Sequence, residues 1–291
     1  MSHTPVLLGT ILENINPLPG EFVIDGTVNG GGHAEKLIER VGSNGKFLGV
    51  DLDEDMLSET RKKLSGKNIF LKQGNYADLP EILEKGKLGK ADALLLDLGF
   101  SSNQLEAGRG FAFSKEENEP LLMTYDKNAE PLMDILRDLK VAELENIIRE
   151  YGGERMAGRV AKAIKANLSR IQGSRDFAEV ITKSLPNFYE HGRISPATRT
   201  FQALRIYANK ELENLKTVLS ELPNILKPGG RVAIISFHSL EDKIVKDFFR
   251  EERRKGILEV LTKKPLVATR EESMKNPRSR SAKLRIAKLI A

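Results

Sequence analysis

Four short apolar runs recur through the first hundred residues, and each ends in a carboxylate or a glycine turn. They are EFVIDGTV (21–28), KFLGVDLD (46–53), NIFLKQGN (68–75) and ADALLLDLG (91–99). Between the first two lies HAEKLIERV (33–41), whose Ala34, Leu37, Ile38 and Val41 share one helical face. DEDMLSETRKKL (53–64) opens on acidic residues, as the dipole of a helix favours. Strands apolar on both faces and separated by helices call for a parallel sheet covered on two sides. The chain therefore reads as a doubly wound α/β fold.

After Gly99 the rhythm changes. From about 105 to 205 there is almost no strand signal, while 131–139, 141–152, 154–168 and 176–188 carry helical patterns. An all-helical insertion over 105–205 is expected, with 1–104 and 206–291 forming one core. RIYANKELENLKTVLSELPNIL (205–226) reads as one long amphipathic helix, stopped at Lys227-Pro228-Gly229-Gly230 before the strand RVAIISF (231–237). Residues 238–255 read as a helix, 256–281 as irregular and basic, and AKLRIAKLI (282–290) as a final strand.

Ligands of open α/β sheets lie beyond the carboxyl ends of the strands, so the chemistry at those ends matters most. The first strand ends at Asp25-Gly26-Thr27 and runs into Gly30-Gly31-Gly32-His33. Glycines let backbone N–H groups approach a ligand closely, and the helix N-terminus that follows favours negative charge. The second strand ends at Asp51, where a carboxylate can accept two hydrogen bonds from a ribose diol, each worth about 1.5–3 kcal/mol when charged. The third ends at Gly74-Asn75-Tyr76 and the fourth at Asp97, a carboxylate that is expensive after three leucines unless something uses it. Alone, the glycine cluster is a tight turn and Asp51 a helix cap; on successive strand ends they point to a nucleoside cofactor. The dinucleotide pattern G-x-G-x-x-G is absent. S-adenosylmethionine, which has no phosphate, matches this set better than NAD does.

Bulk properties exclude other classes. The 291 residues contain no cysteine, which removes disulfides, thiol catalysis and thiolate metal sites. Of the four histidines (His3, His33, His191 and His238) no two have metal-pair spacing, so no metal is expected. The N-terminus lacks the pattern of a signal peptide and no apolar run approaches membrane-spanning length, which points to a cytoplasmic protein. A net charge of +5 permits a polyanionic partner.

Taken together, DGTVNGGGH, VDLD, DLGFSSNQL, GRGFAF, PATRTFQALRI, ISFHSLEDKIVK and NPRSRSAKLRIA closely resemble the 16S rRNA cytosine-N4 methyltransferases, the MraW or RsmH family. The motifs run in the same order from His3-Thr4-Pro5-Val6-Leu7-Leu8 to the last strand, over essentially the whole chain. The resemblance implies a class I Rossmann-like methyltransferase sheet with an inserted helical substrate domain, and S-adenosylmethionine as methyl donor. It implies a decoding-centre cytosine of 16S rRNA as acceptor, within the small ribosomal subunit or a late precursor. Carried over residue by residue, the cofactor contacts fall on Gly31, Gly32, His33, Asp51, Tyr76, Asp97 and Gln104. The chain departs from the family pattern where it has Leu122, Thr124 and Ser195 in place of a carboxylate, an arginine and a histidine, and Thr10 where an acidic residue is common.

Methylating an exocyclic amine requires its lone pair to attack the sulfonium methyl in line, so alignment supplies most of the rate. Asp97 either holds the ammonium of the cofactor or orients the target amine; the resemblance favours the cofactor. In SFHSLED, one reading has Ser239 capping a helix with Asp242 completing a capping box. The other has Ser236, Phe237 and His238 lining the base pocket, with Phe237 stacking on an extruded cytosine. Two basic patches, Arg193, Arg199 and Arg205, and Arg278, Arg280, Lys283 and Arg285, are either solvated faces or the grip on RNA. A homodimer is compatible with the sequence, as is an inactive or differently targeted RNA-binding assembly factor on the same fold.

Overall fold

The computed structural model describes residues 5–99, 102–105, 107–113, 117–186, 189 and 195–290. Phe100, Ser101, His3, His191 and Arg193 lie outside the described residues. The chain forms two compact units, one of residues 1–99 and 212–291, the other of residues 100–211.

The first unit opens with α1 (Leu8–Ile15), β1 (Phe22–Asp25), α2 (Gly32–Val41), β2 (Lys46–Asp51), α3 (Glu54–Lys63), β3 (Ile69–Gln73), α4 (Leu79–Lys85) and β4 (Ala91–Asp97). The second unit holds α5 (Ser102–Leu105), α6 (Leu132–Asp138), α7 (Val141–Gly152), α8 (Ala157–Asn167), α9 (Ser174–Ser184) and α10 (Thr198–Ala208). The chain then runs through α11 (Glu211–Ser220), α12 (Leu222–Ile225), β5 (Leu226–Ser236), α13 (Ser239–Arg254), β6 (Leu258–Val260), α14 (Arg270–Lys275) and β7 (Lys283–Leu289).

The seven strands lie in the order β3-β2-β1-β4-β5-β7-β6, parallel except for β7, which is antiparallel to both neighbours. Alternation places Phe22, Ile24, Leu94, Leu96, Val232 and Ile234 on one face of the sheet and Val23, Ala93, Leu95, Ala233 and Ile235 on the other. Helices α4, α11, α12 and α13 cover the first face; α1, α2 and α3 cover the second. The central strands β1, β2 and β4 are buried on both faces, as the apolar runs required, and the expected doubly wound Rossmann-like sheet is borne out. In the second unit, the apolar stripes of α6 to α10 close a separate core around Leu136, Ile148, Val160, Phe177 and Phe201. Among the described residues no helix is long and apolar enough to cross a membrane.

Three expectations are corrected. The single helix over 205–226 is three helices, broken where Lys210 takes a left-handed φ of 51°. Asn209 accounts for the break: its side chain donates to the Met123 carbonyl (2.9 Å) and accepts from the Tyr125 amide (2.8 Å). The Lys227–Gly230 breaker lies inside β5, where it bulges out: Leu226 pairs with Ala91, and the next partners are Arg231 and Ala93. Residues 256–281 are not irregular throughout, since they supply the edge strand β6 and α14.

Candidate functional site

The carboxyl ends of β1, β2 and β4 carry Asp25, Asp51 and Asp97, all buried. Thr27 ties two of these ends together. Its amide donates to Asp25 Oδ1 (3.1 Å), and its hydroxyl accepts the backbone N–H of Asp97 (2.7 Å). Burial pushes the Asp25 carboxyl up to about 8, opposed by the Thr27 amide. Asp51 is pushed up to about 7 by burial, although the amides of Asp53 and Asn29 donate to its two oxygens at 2.9 and 2.7 Å. Each oxygen keeps a second lone pair, the requirement for receiving a vicinal diol.

Between Asp25 and α2 the chain turns through Asn29 (φ 46°) and Gly31 (φ 82°), conformations that glycine adopts freely and asparagine tolerates. Gly32 is required for a different reason: a Cβ there would lie 2.7 Å from the ring of Pro5. The N-terminal segment thus lies directly against the glycine loop. It is held there by Glu272, which accepts the Leu7 amide at 2.7 Å. The Val6 carbonyl lies 2.9 Å from His33 Nε2. A carbonyl only accepts, so Nε2 donates to it, and Nδ1 faces Asp97, 3.8 Å from its Oδ2.

Burial also raises the Asp97 carboxyl; the nearby charges of His33 and Arg278 oppose this. Asp97 Oδ1 is buried and has no hydrogen-bond partner among the described residues. A buried, unpaired carboxylate oxygen costs free energy in the folded chain. That orphan oxygen fits a donor arriving from outside the protein, and an ammonium group is one that would also draw the carboxylate toward its charged form.

Beyond β5, Phe237 and His238 follow directly. The Phe237 ring lies on Gly99, where a Cβ would come within 2.6 Å of a ring atom. The helix cap is His238 rather than Ser239, and its capping-box partner is Glu241 rather than Asp242. Glu241 Oε2 accepts from the amides of Phe237 (2.8 Å) and His238 (3.2 Å), while His238 Nδ1 accepts from the Glu241 amide at a long 3.4 Å. His238 Nε2 is 3.2 Å from Glu241 Oε1 but without hydrogen-bond geometry.

Tyr76 begins a single 3-10 turn after β3 and is half-buried against the sheet core. Gln104 is buried on α5, in the second unit. Of the basic residues singled out in the sequence, Arg285 is buried against Asp242 (2.7 Å), and Arg205 is clamped on Glu211 by two bonds of 2.9 and 3.1 Å. Both guanidinium groups are bonded to the protein's own carboxylates. Arg278 is half-buried with its charge acting on Asp97, whereas Arg280 is exposed with its Nε donating to the Ser273 carbonyl. Arg199 is half-buried on α10.

Sequence reasoning did not select Thr27, Glu241, Glu272 or the bearing of Arg278 on Asp97. Thr27 sits inside the quoted glycine motif, so that signal was available. The others act through contacts far along the chain, which no local pattern encodes.

The sequence has relatives over its whole length. A protein of Syntrophus aciditrophicus named ribosomal RNA small subunit methyltransferase H is 43% identical over 99% of this chain and 98% of its own. Proteins of the same name from Deinococcus radiodurans and a Synechocystis strain are each 42% identical, over 100% and 99% of this chain and 90% and 93% of theirs. The family model described as the MraW methylase family matches residues 1–290, and this chain belongs to that family.

Proposed function

We propose that this protein transfers a methyl group from S-adenosylmethionine to the exocyclic N4 amine of a decoding-centre cytosine in 16S rRNA, acting in the cytoplasm on the small ribosomal subunit or a late precursor. The observation that carries the reading is the set of buried carboxylates on neighbouring parallel strand ends, with Asp97 Oδ1 unpartnered among the described residues beside a glycine loop, in a chain of a methylase family.

The residues fit the donor. Asp51 would accept from the ribose hydroxyls, the backbone at Gly31 and Gly32 gives close approach, and half-buried Tyr76 offers an apolar face for the adenine. His33, with its Nε2 tied to the Val6 carbonyl, flanks Asp97, whose Oδ1 is assigned to the ammonium group. When bound, S-adenosylmethionine supplies an activated methyl on a sulfonium, a good leaving group. The remaining task of the chain is to bring the amine nitrogen into line and exclude competing geometries. The Phe237 ring is the candidate stacking surface for an extruded base, held by the Gly99 contact below and the Glu241 cap behind. Arg280, Arg278 and Arg199 are proposed to meet the RNA backbone.

Incubation with methyl-labelled donor and small subunits lacking the modification should place label in 16S rRNA. Label absent from RNA, with the donor still bound, would favour an inactive assembly factor instead.

A further inference from the structure

On the far side of Asp242 from the His238 cap, α13 and the β6 edge enclose a groove of about 270 Å³. Its walls carry five cations, Lys246, Arg250, Arg253, Lys263 and Arg285, and no carboxylate. The apolar floor includes buried Phe249, so the aliphatic stems can lie on it while the charged heads stay in water. Four of the five are exposed; Arg285 is the buried one.

The surrounding acids do not neutralise this surface. Asp242 is used by Arg285 and Lys283, at 2.7 and 3.3 Å. Asp247 is shared among Lys243 (3.1 Å), Arg250 (3.1 Å) and Lys246 (4.0 Å), one carboxylate for three cations. Arg253 and Lys263 have no carboxylate partner among the described residues. Positions 246, 250 and 253 follow the i, i+4, i+7 spacing that aligns side chains on one helix face, over about 10 Å at 1.5 Å per residue.

We propose that this groove binds the sugar–phosphate backbone of the RNA that flanks the acceptor nucleotide. The inference rests on the rRNA reading above and extends it to a surface outside the strand-end site. The first groove residue on α13, Lys246, stands about two helical turns, or about 12 Å, beyond the His238 cap, so a strand leaving the site can continue along α13 while its phosphates meet a row of cations. The contact is to the backbone and carries no base specificity.

The test compares two double variants in which the same charge is removed. Arg253→Gln with Lys263→Gln empties the groove of its unpaired cations. Lys36→Gln with Lys85→Gln removes two exposed lysines that pair with Glu39 and Glu81 on other helices. Binding of transcribed 16S rRNA is measured against salt for the full-length protein, with donor binding and the melting temperature as controls. The groove variant is expected to flatten the slope of log K against log[salt] by about 1.4, at about 0.7 per lost single-strand contact. Donor affinity and melting should not change, and the control variant should keep the wild-type slope. Equal slopes in the two variants would overturn the groove. Wild-type protein that binds an acidic polypeptide but no RNA would overturn the groove and the rRNA reading together, whereas RNA binding with an unaltered slope in the groove variant sinks the groove alone.

Discussion

Replacing Asp97 by Asn separates two effects that a buried carboxylate combines. Asparagine is nearly isosteric, so packing at the end of β4 is kept. In the cofactor-free protein the wild-type carboxyl is raised by burial, and its Oδ1 has no hydrogen-bond partner among the described residues. Removing the charge relieves desolvation, and the free variant should melt no lower than wild type at neutral pH. Binding should move the other way. A charged hydrogen bond contributes about 1.5–3 kcal/mol, so its loss corresponds to roughly a 10- to 150-fold weaker Kd for S-adenosylmethionine. Calorimetric titration and a thermal melt on the same sample read both quantities. Equal Kd values for Asp97→Asn and wild type, with turnover lost, would refute the ammonium assignment and make Asp97 the residue that orients the target amine.

Other consequences follow from the same site. Asp25 and Asp51, at about 8 and 7 when folded, hold protons that the unfolded chain releases near 3.8. The folded state binds the extra protons between these values, so stability of the donor-free protein should fall as pH rises from about 4 to about 8. Binding a cationic donor whose hydroxyls need acceptors favours the ionised carboxylates, and titrations near pH 7 in buffers of different ionisation enthalpy should show proton release; no buffer dependence would count against this. Gly99→Ala puts a Cβ within 2.6–2.9 Å of three atoms of the Phe237 ring, and overpacking of this kind costs about 1–3 kcal/mol. Its thermal melt should fall, and methyl transfer should drop further than donor affinity if the ring stacks on the acceptor. Glu241→Ala removes the side-chain half of the α13 cap, at a cost of about 0.5–2 kcal/mol in denaturant unfolding.

The sheet was legible because its central strands β1, β2 and β4 are buried on both faces and the strand ends are marked by acids or glycine. Asp25, Asp51 and Asp97 could be placed at one end of it on that basis. Elements set by tertiary contacts were not legible. The turn at Lys210 carries neither Gly nor Pro and depends on Asn209 reaching the backbone of Met123 and Tyr125. Strand β6 has three residues and exists only by pairing with β7. The cap of α13 lies one residue earlier than expected because histidine is an uncommon cap and Ser239 a common one. The ion pairs of Arg205 with Glu211 and of Arg285 with Asp242 were not legible either, because the sequence does not distinguish these arginines from their exposed neighbours. The groove along α13 was invisible for the converse reason, because its cations come from segments that only the fold brings together.

The central claim is one of acceptor identity, and mapping the methylated nucleotide tests it most directly. Small subunits lacking the modification are incubated with the protein and labelled donor, and the 16S rRNA is digested and read by mass spectrometry. The account predicts one added methyl, on the N4 nitrogen of a single decoding-centre cytosine. A methyl on another base or another ring position, or none despite bound donor, would contradict it.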